Sequence, residues 1–318
     1  MDKIMKSEGV DKEYIAHHVM EPGPLADRNL TGTWKDYVSV TKVGIILGNL
    51  LTVFAGMWLA AGGVQGFSQL SLTHILFTLL GTALVIASGT CLNNYIDRDI
   101  DQKMLRTKNR ALAEGRLDPK HVLLMGYILA VCGTVLLLFV NWVATIMALI
   151  GLFFYVVIYT MWLKRTHHLN TIVGGVAGAM PPVIGWTAVT GSLDPGAWIL
   201  FAMMFVWQPP HFLALAMRRY EDYKAAGIPM LPVVKGFRVT KQQIVLWVAT
   251  LIPTSLYLYL VTNVGWGYVW VALMLGLAWL VLALSGLYVK NDILWARLNF
   301  VYSLVYLTLL CIGIILTA

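Results

Sequence analysis

LTHILFTLLGTALVIASGTCLNNYIDRDIDQKM, residues 72–104, decides the fold. Residues 72–96 carry no Asp, Glu, Lys or Arg. About 20 apolar residues rising about 1.5 Å each cross roughly 30 Å of hydrocarbon, so this run is long enough to span a bilayer. It then ends abruptly in acids and amides. Asn93, Asp97 and Asp101 recur at i, i+4 and i+8, which stacks three oxygen-bearing side chains on one helix face. Two carboxylates that close repel one another, and desolvation at the end of a membrane helix adds to the cost. A hard cation removes the conflict. Mg²⁺ suits the set, because it binds through one or two carboxylates and keeps positions for water and substrate phosphate.

Runs like 72–96 recur along the chain. The spans expected are 40–60, 72–96, 121–140, 143–162, 171–191, 197–217, 243–262, 267–287 and 298–317. The sequence has 318 residues, of which 58% are apolar and 12% charged, and its mean hydropathy is +0.73. That leaves too little polar surface to coat a soluble body of this size, so the solvent is a lipid bilayer. A net charge of +7 invites a nucleic-acid partner, but the placement of the charge answers otherwise. All 23 Lys and Arg fall on one side of this topology. The opposite connections, 61–71, 141–142, 191–196 and 263–266, carry Asp194 as their single charge. The basic residues sit at helix mouths and no nucleic-acid module is recognisable, so no nucleic-acid partner is expected. The positive-inside rule makes the N-terminus cytoplasmic.

Residues 1–38 then form a cytoplasmic tail and residues 39–318 a transmembrane domain. The tail mixes acids with bases and resembles neither a signal peptide nor a transit sequence, so a bacterial inner membrane is expected. Cys91, Cys132 and Cys311 are odd in number, far apart and set in apolar runs, which fits packed core residues. The two long same-side loops follow the second and sixth spans, and each opens with charge at a helix end. Spans one to four and five to eight are therefore expected to be equivalent halves, with the ninth appended. The fold class is all-α, a polytopic bundle of two four-helix repeats plus one.

Polar chemistry gathers in those loops. Lys103, Arg106, Lys108 and Arg110 follow the first acid face, at a density suited to an anion whose charge grows during reaction. Lys164 and Arg165 close the fourth span. MRRYEDYKAAGIPMLP, residues 217–232, supplies Glu221 and Asp222 beside Arg218 and Arg219, and one of these acids is a candidate second metal ligand. Pro181, Pro182, Pro209 and Pro210 interrupt the fifth and sixth spans and are expected to kink them. Gly174, Gly175 and Gly178 read as a close helix approach. His211 lies deep in an apolar span, where an ionisable group is a functional candidate by default. His17, His18 and His74 are unremarkable, while His121, His167 and His168 sit at helix mouths.

Taken together, NNYIDRDIDQKMLRTKNRAL, WLKRTHHLNTIVGGVAGAMPPVIGW and WQPPHFLALAMRRYEDYKAAGIPMLP resemble the intramembrane aromatic prenyltransferase superfamily, and within it the haem-farnesylating branch. The resemblance covers about 40–317. It implies transfer of the farnesyl group of farnesyl diphosphate to a vinyl group of protohaem IX with addition of water, and a haem A synthase downstream. It implies Mg²⁺ held by Asn93, Asp97 and Asp101 on one side and by Asp222 on the other. Asn94, Arg106, Arg110, Lys164, Arg165, Arg218 and His211 are the candidate substrate-binding residues. One departure stands out: many members show DxxxD in the second motif, and this chain has Arg218 four residues before Asp222. Two competitors remain: a prenyltransferase for a quinone-precursor aromatic acceptor, and a secondary transporter, which would place its charges near the midplane of broken helices.

Overall fold

The computed structural model describes residues 30–318. The expected tail therefore lies mostly outside the described residues, as do His17 and His18. Its last residues form a short helix, Trp34–Val40. Among the described residues, nine helices are long and apolar enough to cross a membrane. They are α1 (Val43–Ala60), α2 (Leu72–Asp101), α3 (Pro119–Leu138), α4 (Trp142–Thr166), α5 (Asn170–Thr190), α6 (Pro195–Arg218), α7 (Leu231–Val261), α8 (Trp266–Ser285) and α9 (Asp292–Thr317). The chain is an all-α, multi-pass membrane protein.

Local chemistry sets where these helices begin. Asn141 Oδ1 accepts from the Ala144 amide at 2.8 Å and starts α4. Asp118 and Asp194 cap α3 and α6, each followed by a proline at the first helical position, where the missing N–H costs nothing. Asp194, the one charge in its group of connections, is thus spent on a cap. The largest boundary difference is in α7, which begins at Leu231 rather than 243 and turns at Gly236, whose φ of 77° suits a residue without a Cβ.

α5 and α6 are the most buried spans and form the middle of the bundle. Both run on as helix through their proline pairs, with all four rings buried. Flanking helices supply the packing that the lost backbone bonds do not. Gly56 on α1 and Gly185 on α5 mark a near-contact of backbones: a Cβ at Gly185 would strike the Val53 carbonyl, and one at Gly56 the Pro182 carbonyl. The expected glycine approach on α5 takes a specific form. Gln208 of α6 lies across Gly175 and Gly178, and its Nε2 donates to Gly175 O at 2.8 Å.

Where α2 and α6 run out into the two long loops, a small separate apolar core forms. Ile100 and Met104, from the end of α2, pack with Ala216, Ala226, Ile228 and Met230, from the end of α6 and its loop. This roof sits over the polar ends of α2 and α6.

Candidate active site

Asn93, Asp97 and Asp101 lie on one face of α2, as the spacing requires, and all three are buried. Asp97 has no exposed surface. A buried carboxylate survives only if it is paired and hydrogen-bonded, and the neighbours supply both. Lys164 Nζ donates to Asp97 Oδ2, as does Asn93 Nδ2 at 2.7 Å. Arg110 pairs with Asp101 Oδ2 at 2.7 Å. Arg165 grips Asp99 through two nitrogens, both at 2.7 Å, donates to Ile96 O at 2.8 Å, and stands 3.9 Å from Asp97 Oδ1.

α4 reaches this face by an irregularity. Phe154–Leu163 is wound as a π-helix, and Thr160 Oγ1 donates to Tyr155 O, five residues back, at 2.7 Å. Such a stretch is often found at functional sites. Here it presents Thr160 and Lys164 to the same side: Thr160 Oγ1 accepts from Asn93 Nδ2 at 3.1 Å, while Lys164 takes Asp97. Gly89 and Gly174 leave room for Tyr155 and Tyr159, since a Cβ at Gly174 would come within 2.7 Å of the Tyr159 ring.

Lys42 is a member of the site that the sequence did not single out. It is the one non-glycine residue with positive φ among those described (φ 54°, ψ 58°), a conformation that disfavours a Cβ. α2 enforces it. Thr90 Oγ1 donates to Thr41 O at 2.8 Å and Asn94 Nδ2 to Val40 O at 3.0 Å, so the chain turns inward and Lys42 Nζ donates to Asn93 Oδ1 at 2.8 Å. Asn94 thus faces the entry of α1, with its other amide hydrogen on Thr90 O. Burial, with Arg110 and Lys164 nearby, pushes the Lys42 ammonium down to about 7, offset in part by Asp97 and Asp101. An arriving anion would relieve that crowding of positive charge.

The donor set fits a magnesium ion. Asp97 Oδ1 and Asp101 Oδ1 are buried and accept no hydrogen bond, and buried acceptors left so are costly. They offer lone pairs to a hard cation. Among the described residues no group of three or more His, Cys, Asp or Glu side chains assembles. A cation here would rest on two carboxylates and an amide, with water and phosphate completing the shell, which is how Mg²⁺ binds.

Asp222 and Arg218 lie elsewhere in the assembly. With Arg106, Arg219 and Glu221 they line a cavity of about 1040 Å³ at the end of α6. Asp222, on the short helix Tyr220–Ala225, accepts from the Leu105 amide at 3.0 Å and so ties the two loops together. Of the expected residues, Asn93, Asp97, Asp101, Arg110, Lys164 and Arg165 therefore gather on one face, while Arg106, Arg218 and Asp222 gather around the cavity. His211 is buried between Trp207 and Phe300, with ring centroids 4.8 and 4.7 Å away. Its Nδ1 lies 2.6 Å from Ser303 Oγ, whose hydrogen goes to Phe300 O. His167 and His168 stack on each other at 4.4 Å at the mouth of α4.

Comparison with known proteins places this arrangement. A protoheme IX farnesyltransferase of Alkalihalophilus pseudofirmus is 54% identical over 296 residues, covering 92% of this chain and 94% of the relative. One from Geobacillus thermodenitrificans is 52% identical over 284 residues, covering 89% and 91%. In fold, the chain is similar to a digeranylgeranylglyceryl phosphate synthase structure (TM-score 0.73, 18% identity, 89% of this chain and 97% of that one). It is also similar to a UbiA homolog from Archaeoglobus fulgidus bound to GPP and Mg²⁺ (TM-score 0.68, 17% identity, 89% and 100%). Residues 49–305 match the UbiA prenyltransferase family, and with half of its residues shared with such relatives along nearly its whole length, the chain belongs to that family of intramembrane aromatic prenyltransferases.

Proposed function

We propose that the chain transfers the farnesyl group of farnesyl diphosphate to a vinyl group of protohaem IX, with addition of water, giving haem O and diphosphate. The observation that carries this is the buried Asn93–Asp97–Asp101 face, ringed by Lys42, Arg110, Lys164 and Arg165, on a chain half identical to protoheme IX farnesyltransferases. Asn93, Asp97 and Asp101 would hold Mg²⁺ on one side and Asp222 on the other, and a bound ion would supply charge neutralisation for the departing diphosphate. Arg110, Lys164, Arg165 and Lys42 turn from the acids toward the phosphate oxygens, and being preorganised they stabilise the charge as it grows.

The C1–O bond of farnesyl diphosphate breaks with its electron pair on diphosphate. The vinyl π pair closes a new carbon–carbon bond at C1, and water captures the cation left beside the porphyrin, losing a proton. No strong protein base is needed. The bundle's part is to bind, to orient and to keep water from the first cation. His211, its ring held between Trp207 and Phe300, is a contact for the acceptor; Arg106 and Arg218 bind substrate from the cavity. Asn94 acts on substrate through Lys42.

The same proposal puts the chain in a bacterial inner membrane with a cytoplasmic N-terminus and a boundary near residue 39, and it passes haem O to a haem A synthase. The bundle is two four-helix repeats plus α9. In support, α2 with α3 and α6 with α7, the equivalent pairs of the two halves, share the most extensive helix contacts.

Purified protein incubated with Mg²⁺, protohaem and farnesyl diphosphate is expected to yield a haem heavier by a farnesyl group plus water, seen by mass spectrometry. Chelation of the metal stops the reaction and added Mg²⁺ restores it. Prenylation of 4-hydroxybenzoate with no haem product would overturn the assignment in favour of a quinone-precursor acceptor.

A further inference from the structure

The cavity at the end of α6 is larger than a diphosphate needs. Its volume of about 1040 Å³ sits at the top of the roughly 300–1,000 Å³ range of small-molecule pockets. The Asn93–Asp97–Asp101 face, which has four cations of its own, does not line it.

The cavity has three cations, Arg106, Arg218 and Arg219. Among the described residues none of the three forms an ion pair, although Glu221 and Asp222 share the same walls. Arg219 Nε is buried without a hydrogen-bond partner. Arg218 is held by one face: its guanidinium lies 4.9 Å over the Phe300 ring, which stacks on His211, which stacks on Trp207. Ser303 pins that column, accepting from Trp207 Nε1 at its carbonyl (2.9 Å) and meeting His211 Nδ1 at its hydroxyl. A guanidinium fixed flat keeps its N–H edge free, and that edge matches a carboxylate in a two-bond fork. Beside the arginines the lining is apolar, including Met217, Phe237 and Ile293.

Two or three unpaired guanidiniums at one end of a wide, partly apolar cavity suit a flat apolar body bearing a pair of carboxylates. We propose that this cavity receives the acceptor, and that Arg218 and Arg219, assisted by Arg106, bind the two propionate groups of the porphyrin. The proposal rests on the haem-farnesylation reading. It also gives a physical reason for Arg218 standing four residues before Asp222: a second acid there would repel the propionates.

The test uses the full chain in lipid nanodiscs and compares equilibrium binding of protohaem with that of its dimethyl ester, followed by the Soret band. Wild-type protein is expected to bind the free acid about tenfold or more tightly than the ester, the scale of a lost charge-assisted bidentate contact. Arg218→Gln, and separately Arg219→Gln, should weaken the free acid by about as much, shrink the acid-to-ester ratio toward one, and leave the KM for farnesyl diphosphate within about twofold. Equal binding of acid and ester by the wild type overturns the proposal without any variant. So does an Arg218→Gln protein that keeps the ratio but shows a raised KM for farnesyl diphosphate, since that assigns the side chain to the diphosphate. The activity itself is read separately, from farnesylated haem formed by the wild type, so its absence would sink the reaction and not the carboxylate site.

Discussion

Asp97 combines full burial with two partners on one oxygen and none hydrogen-bonded to the other. Its replacement therefore acts on stability and activity by separate routes. Asp97→Asn leaves Lys164 buried without its counter-charge, a loss of about 3–5 kcal/mol when one member of a buried pair is removed. Lys164→Met leaves the carboxylate in the same position. In the double variant neither charge remains, so thermal stability in detergent should return most of the way toward wild type. Turnover should not return, staying down by about a thousandfold or more, because the double variant lacks both the oxygen ligand and the phosphate contact that the proposed function requires. If the double variant regains activity with stability, the pair is only structural. Asp97 was legible in the sequence because i, i+4, i+8 spacing is a helix property that holds before any tertiary contact exists. Lys42 was not, because a lysine at the mouth of an apolar run reads as an interfacial anchor. Only the grip of Thr90 and Asn94 on the backbone at 40 and 41 turns it inward.

At the scale of helices, the apolar runs foretold nine spans, since crossing a bilayer demands length and hydrophobicity that composition records directly. The π-wound part of α4 was invisible, because it is a change in hydrogen-bond register and Phe154–Leu163 has the composition of any lipid-embedded helix. Pro181–Pro182 and Pro209–Pro210 mark where backbone donors are missing, and both helices are surrounded closely enough to continue through them. Glycines separate packing from flexibility. Gly185→Ala presses a methyl onto the Val53 carbonyl, and backbone on both sides cannot yield easily, so the α1–α5 crossing should open at a cost of about 1–3 kcal/mol. Gly44→Ala meets nothing within 4 Å and should be neutral or stabilising, by up to about 1 kcal/mol. Unfolding temperatures of the two proteins, measured side by side in the same detergent, decide the matter. Comparable losses in both would deny the crossing its special tightness.

For the molecule as a whole, the charge asymmetry predicts an orientation that can be read chemically. With Cys132, the exposed native cysteine, changed to Ala, a cysteine placed at Lys108 should react with a membrane-impermeant maleimide only from the cytoplasmic side. One at Ser192 should react only from the other, both parent positions being exposed. The reverse pattern would invert the topology. Two kinds of cohesion meet in this molecule. Within the bilayer the spans gain nothing from water and are held by close packing. The roof of Ile100, Met104, Ala216, Ala226, Ile228 and Met230 is held by the ordinary hydrophobic effect, which weakens on cooling. Chilling therefore loosens the roof over the ends of α2 and α6 while the shaft beneath stays rigid, so a cold limit on turnover would come from the loops and not from the lipid-facing spans.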